Sequence, residues 1–128
     1  LDYQPPKESR LGEPALARKY PLEMISAKND NSMNSTFGHR DELDAETATA
    51  HLDQTDAARR GIVNGDRVRL FNDRGSLLLT AAVDHTAMPG VVRVPSSRWA
   101  RRAGDRRNAN ALTSEQLTDI GGGATFYS

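Results

Sequence analysis

Two stretches far apart in the chain carry the side chains best suited to holding a polar ligand. The first reads Ser26-Ala27-Lys28-Asn29-Asp30-Asn31-Ser32-Met33-Asn34-Ser35-Thr36-Phe37-Gly38-His39 and has almost no hydrophobic period. Beyond Ser26 it holds six Ser, Thr and Asn side chains and one lysine. Neutral hydroxyls and amides direct hydrogen bonds to phosphate oxygens or heterocycle edges, and a single cation supplies an anchor. The same composition also suits an ordinary surface loop. The second stretch, Asn108-Ala109-Asn110-Ala111-Leu112-Thr113, repeats the amide and hydroxyl chemistry. Before it, Pro95 to Arg107 holds five arginines and the only tryptophan, Trp99. A basic patch beside an aromatic suits a nucleic-acid backbone. Here the flanking strands add no second basic stripe, so the arginines are read as facing one anionic ligand or another domain's acidic surface.

No catalytic constellation accompanies these loops. His39, His51 and His85 fall on different expected elements and lack the H-x-x-x-H or H-E-x-x-H spacing of a metal site. Ser35 and Ser97 lack a G-x-S-x-G setting, and there is no Walker loop. The chain has no cysteine, which excludes disulfides, Cys-ligated zinc and iron–sulfur clusters held by this chain.

The elements that must position the loops are β-strands. Asp53 is placed to cap a short helix, with Asp56 favourable near its start, Arg59-Arg60 in its last turn and Gly61 just past its end. Asn64-Gly65 marks a turn. Val68 and Leu70 alternate with Arg67 and Arg69, which predicts a strand wet on one side. After the Asn72-Asp73-Arg74-Gly75 turn, Leu77 to Val83 is nearly unbroken apolar sequence and reads as a strand buried on both faces. Pro89-Gly90 fits a type II turn, with a strand over 91–94. These three strands are expected together in the middle of the fold. Tyr20 to Ser26 reads as the first strand of the core, 40–47 as helix-tolerant, and the alanines at 45, 48 and 50 with Leu52 as a connection. Gly121-Gly122-Gly123 suits a close backbone approach or a linker.

At 128 residues the chain fits one domain. Its 17 basic and 17 acidic residues cancel, so no bulk field draws in nucleic acid or an anionic membrane. No apolar run approaches the roughly 20 residues of a membrane helix, and the first residues form no signal peptide. Residues 1–19 are expected to be a linker or an arm from a preceding domain, and 20–128 the β domain. The start at Leu1 suggests a piece of a longer polypeptide.

Four segments in order carry a family resemblance: Tyr20 to Ser26 leading to Asn34-Ser35-Thr36-Phe37-Gly38; Asp56-Ala57 with Arg60-Gly61-Ile62, Asn64-Gly65-Asp66 and Val68; Asn72-Asp73-Arg74-Gly75 followed by Pro89-Gly90-Val91-Val92; and Asn108 to Thr113. Over about 20–126 the chain resembles the C-terminal molybdopterin-dinucleotide-binding domain of the prokaryotic molybdopterin oxidoreductases, the group of formate dehydrogenases, nitrate reductases and dimethyl sulfoxide reductase. The resemblance implies a mainly β fold, a double-psi β barrel with short helices in its connections. It implies a bis-molybdopterin guanine dinucleotide cofactor whose molybdenum or tungsten is held by the parent enzyme. By position, Ser26 and Lys28 would approach phosphates or pterin, Asn34, Ser35 and Thr36 would line the same cleft, and Asn110 would bond the pterin edge. Arg98 and Trp99 fall where many members have a glycine-tryptophan pair. Implied partners are preceding domains of the same polypeptide or a large catalytic subunit, with no nucleic acid or membrane contact, and the isolated chain is not expected to catalyse. The alternative is a double-psi barrel serving as a protein-interaction or substrate-recognition module.

Overall fold

The computed structural model describes residues 3–34, 36–117 and 121. Among these, short helices α1 (Pro14–Lys19), α2 (Asp41–Thr47) and α3 (Gln54–Arg59) alternate with strands β1 (Glu23–Ile25), β2 (Thr49–Leu52), β3 (Arg67–Phe71), β4 (Ser76–Val83) and β5 (Val91–Arg93). Two 3-10 turns follow, Ala100–Arg102 and Ala109–Leu112. The strands make one sheet in the order β1-β5-β2-β4-β3. The pairs β1/β5 and β2/β4 are parallel, while β2/β5 and β3/β4 are antiparallel.

Local signals explain the stretch around α3. The Asp53 carboxylate accepts from the Thr55 and Asp56 amides, and Gly61 turns the chain at a φ of +65°. Buried Asp56 then accepts from the Gly90 amide at 2.6 Å, tying the helix to the turn before β5. In that turn the Val91 amide donates to the Met88 carbonyl at 3.1 Å and Gly90 sits at a φ of +81°, as type II geometry demands. Asn72 closes the β3–β4 hairpin, its Oδ1 accepting from the Arg74 and Gly75 amides.

Three expectations need correction. The strands β3, β4 and β5 are not a contiguous trio: β2 lies between β5 and β4, and β3 is at one end of the order. Thr49–Leu52, expected to be a connection, is therefore the central strand, with Ala50 and Leu52 almost fully buried. Its small side chains gave little apolar signal, and long-range pairing decided its state. Second, β4 is not buried on both faces. Leu77, Leu79 and Ala81 are in the core while Leu78 is 46% exposed, because only one face of the sheet is covered. Third, the first strand shrinks to Glu23–Ile25, with Leu22 and Met24 packed on the core and Ile25 exposed.

Leu52, Leu77, Leu79, Val92 and Val94 form the core, joined by Ala109 and Leu112 from the second polar stretch. The arm preceding β1 forms α1, with proline in its first turn, and this helix buries no residue. Ion pairs hold the arm against the sheet: Arg10 with Glu23 at 2.8 Å, Lys19 with Asp73 at 2.6 Å, and Arg74 with Glu8. Exposed pairs of this kind contribute little each.

One polar cluster on the sheet makes stability depend on pH. Asp84, just after β4, accepts from the Thr86 hydroxyl and amide and lies 3.0 Å from His51 Nδ1 on β2. The Thr86 hydroxyl, then His51, hold its carboxyl well below the ordinary carboxylate range. A depressed acid contributes stability above its unfolded value and loses it as pH falls toward the folded value. Urea midpoints of wild type and Asp84→Asn should therefore differ most at neutral pH and converge below about pH 4, the unfolded value. A gap that widens on acidification would contradict the assignment.

Candidate functional site

The parallel pairing of β1 and β5 continues past both strands and brings the first polar stretch beside residues 94–96. The Val94 amide donates to the Ile25 carbonyl at 2.9 Å and the Ser96 amide to the Ala27 carbonyl at 2.8 Å. Asn29 Nδ2 adds a bond to the Ser96 carbonyl at 3.3 Å, and Ser32 Oγ donates to Asn29 Oδ1 at 2.6 Å. Ser97 then takes a φ of +74°, a left-handed conformation that non-glycine residues rarely adopt. Arg98 and Trp99 follow this reversal. A Cβ added at Gly38 would stand 2.3 Å from Trp99 Nε1, so the far end of the first loop can pack on the indole only as glycine. The Arg101 guanidinium lies 4.2 Å from the Trp99 ring centroid.

Asn108 joins the second polar stretch to this wall. Its Oδ1 accepts from the Asn110 amide at 3.1 Å, capping the Ala109–Leu112 turn, and its Nδ2 donates to the Arg98 carbonyl at 3.2 Å. Buried Ala109 and Leu112 seat the turn on the core, and Asn72 Nδ2 donates to the Leu112 carbonyl at 2.7 Å. Both polar stretches are thus fixed from beneath by the sheet.

Between them lies a cleft of about 270 Å³ whose polar lining comes from Ser26, Ser96, Ser97, Arg98, Trp99, Asn108 and Asn110. The Ser26 hydroxyl and the Asn110 side-chain amide are at the surface and make no hydrogen bond with a described residue. Arg98 Nε is buried without a hydrogen-bond partner. Burial pushes the Asp105 carboxyl up, but the amides of Leu78 and Arg107 and the charge of Arg98 outweigh it and hold the group below its ordinary range. A larger hollow of about 740 Å³ lies between the arm and the sheet, over Leu22, Met24, Leu70 and Val92. Of its six charged groups, Glu8, Arg10, Glu23, Asp73 and Arg74 are already engaged in ion pairs with described residues and only Glu13 is not, so the smaller cleft is the better candidate for a polar ligand.

Of the residues expected at the site, Ser26 and Asn110 meet at this cleft. Lys28, Asn34 and Thr36 are exposed and do not line it. Asn34, at a φ of +53°, and Thr36 belong to a reversal in which the Thr36 amide donates to the Met33 carbonyl at 3.0 Å, and Gly38 then leads to Trp99. Ser35 lies outside the described residues. Ser96, Ser97, Arg98 and Asn108 also line the cleft, though the sequence does not mark them as cofactor-binding residues. The signal for Arg98 was its place beside the only tryptophan, in a run of small residues. Among the described residues no group of three or more His, Asp or Glu side chains could hold a metal ion.

Comparisons with known proteins identify the family and the fold. The family model described as molydopterin dinucleotide binding domain matches residues 22–128. A probable oxidoreductase of Bacillus subtilis, YoaE, is 41% identical over 112 residues, covering 86% of this chain and 16% of the relative. Dimethyl sulfoxide reductase DmsA of Escherichia coli is 34% identical over 113 residues, covering 84% of this chain and 14% of the relative. The chain thus spans only about a sixth of the length of these curated relatives. Acetylene hydratase from Pelobacter acetylenicus superposes with a TM-score of 0.72 at 21% identity, covering 90% of this chain and 18% of that one, and so shares the mainly β half-barrel fold. With the matched region running from the start of the first strand through both polar stretches, the chain belongs to the molydopterin dinucleotide binding domain family.

Proposed function

We propose that this chain is the domain of a larger molybdenum or tungsten oxidoreductase that encloses a bis-molybdopterin guanine dinucleotide cofactor, and that the cleft between Ser26 and Asn110 is its contact with that cofactor. The observation that carries the reading is the pair of unengaged donors, a hydroxyl and an amide, set on one cleft by segments from opposite ends of the sheet sequence. Such donors fit the hydrogen-bonding edge of a pterin and the oxygens of a dinucleotide. A dinucleotide is larger than 270 Å³ of cleft, so the ligand would extend along the first loop. There Lys28 would approach phosphates, and Asn34, Ser35 and Thr36 would add neutral contacts. The crossed parallel pairs β1/β5 and β2/β4 suit a double-psi arrangement.

When bound, the metal and pterin supply the redox chemistry, and the protein supplies binding and orientation. Ser26 and Asn110 bind and orient, the Trp99 wall excludes water, and the sheet keeps these groups from moving apart. Preceding domains of the same polypeptide, or a large catalytic subunit, would complete the enclosure. The combined Ser26→Ala and Asn110→Ala replacement in the intact protein tests this. Two neutral hydrogen bonds are worth about 1–3 kcal/mol together, so the hold on the cofactor should weaken roughly 5- to 150-fold. Pterin and metal content per polypeptide measures the effect, and full content with unchanged retention would overturn the site assignment.

A further inference from the structure

The cleft wall contains an arginine whose buried Nε–H no contact engages. The Arg98 carbonyl is held by Asn108 Nδ2, yet its buried Nε–H has no partner, and its guanidinium forms no ion pair with a described residue. Arg74, by contrast, bonds Glu8, Arg102 bonds Asp41 and Asp44, and Arg60 bonds the Asp56 carbonyl. A donor sheltered from water and left unpaired is costly, and arginine cannot lose its proton to avoid that cost. Asp105 feels the charge of Arg98, but no hydrogen bond or ion pair joins the two side chains, and the Asp105 oxygens accept from the amides of Leu78 and Arg107.

We propose that Arg98 is the anion-binding residue of the cleft and takes a phosphate oxygen of the bound dinucleotide through the Nε edge of its guanidinium. The proposal rests on the cleft being the cofactor site and adds the residue and the ligand group. Among the parts of a dinucleotide, the diphosphate is the anion whose oxygens match a guanidinium fork. Ser26 and Asn110 then contribute direction, and Arg98 contributes charge. The left-handed φ at Ser97 and the Asn108 clamp fix the Arg98 backbone in the cleft wall before any ligand arrives.

The test uses the intact protein with Arg98→Met, which keeps the apolar stem and removes the donors, and Arg98→Lys, which keeps the charge without the fork. Two quantities are read: the thermal midpoint of cofactor-free protein, and the rate at which loaded protein loses nucleotide in low and high KCl, quantified after acid release. Cofactor-free Arg98→Met should melt no lower than wild type, because an unpaired buried donor has been replaced by apolar surface. Loaded Arg98→Met should lose nucleotide about tenfold faster or more and with less salt dependence, and Arg98→Lys should fall between. A lowered midpoint of cofactor-free Arg98→Met would make Arg98 a structural residue and overturn the proposal. Equal loss from wild type and Arg98→Met would overturn the role of Arg98 alone, whereas wild type carrying no nucleotide would overturn the cofactor reading with it.

Discussion

Leu79→Ala is expected to lower the stability of the domain by about 2–5 kcal/mol, a large part of what a domain of this size possesses. Leu79 sits in the middle of β4, 3% exposed, opposite Val68 on β3 and within the core cluster. Truncation loses the transfer free energy of its methyl groups and leaves a cavity that neighbours on three strands cannot close. Its neighbour is the control. Leu78 is 46% exposed on the other face, and Leu78→Ala should change stability by less than about 1 kcal/mol. Urea unfolding with unchanged slope reads both. Equal losses would mean that the sheet is covered on both sides, contrary to the burial pattern.

Asn108→Ala should act on stability and on the cleft together. The side chain makes two bonds, as acceptor from the Asn110 amide and as donor to the Arg98 carbonyl, and their loss should cost about 1–3 kcal/mol. Asn108→Ser separates the two effects. Serine keeps a capping oxygen for the Asn110 amide but cannot reach across to hold the cleft wall, so it should restore most of the thermal midpoint without restoring cofactor retention. If serine recovers both, Asn108 is a cap and nothing more.

The parts of this molecule that could be read from residues are those whose causes are local. The Asp53 cap, the Gly61 stop, the Asn72–Gly75 hairpin and the Met88–Val91 turn each depend on a few neighbouring side chains, and each is present. The misreadings arose where partners lie far away. Thr49-Ala50-His51-Leu52 is a central strand only because β4 and β5 flank it, and Leu78 looks like core only until one learns which face is covered. At the candidate site, the meeting of Ser26 with Asn110 follows from amide-rich composition and a family resemblance. Arg98 is legible as one of five arginines in a basic stretch and as a neighbour of Trp99 at the family's glycine-tryptophan position, but the burial of its Nε is a product of tertiary packing.

The crossed sheet order also dictates when the cleft comes into being. Asn29 and Ser96, which tie its two sides, are 67 positions apart, and β1 can join β5 only after the chain has returned past β2. Closing so long a loop is slow, so the β3–β4 hairpin should assemble early and the β1–β5 seam late. A polypeptide still in transit therefore has no grip to offer, and ligand loading becomes a step that follows folding.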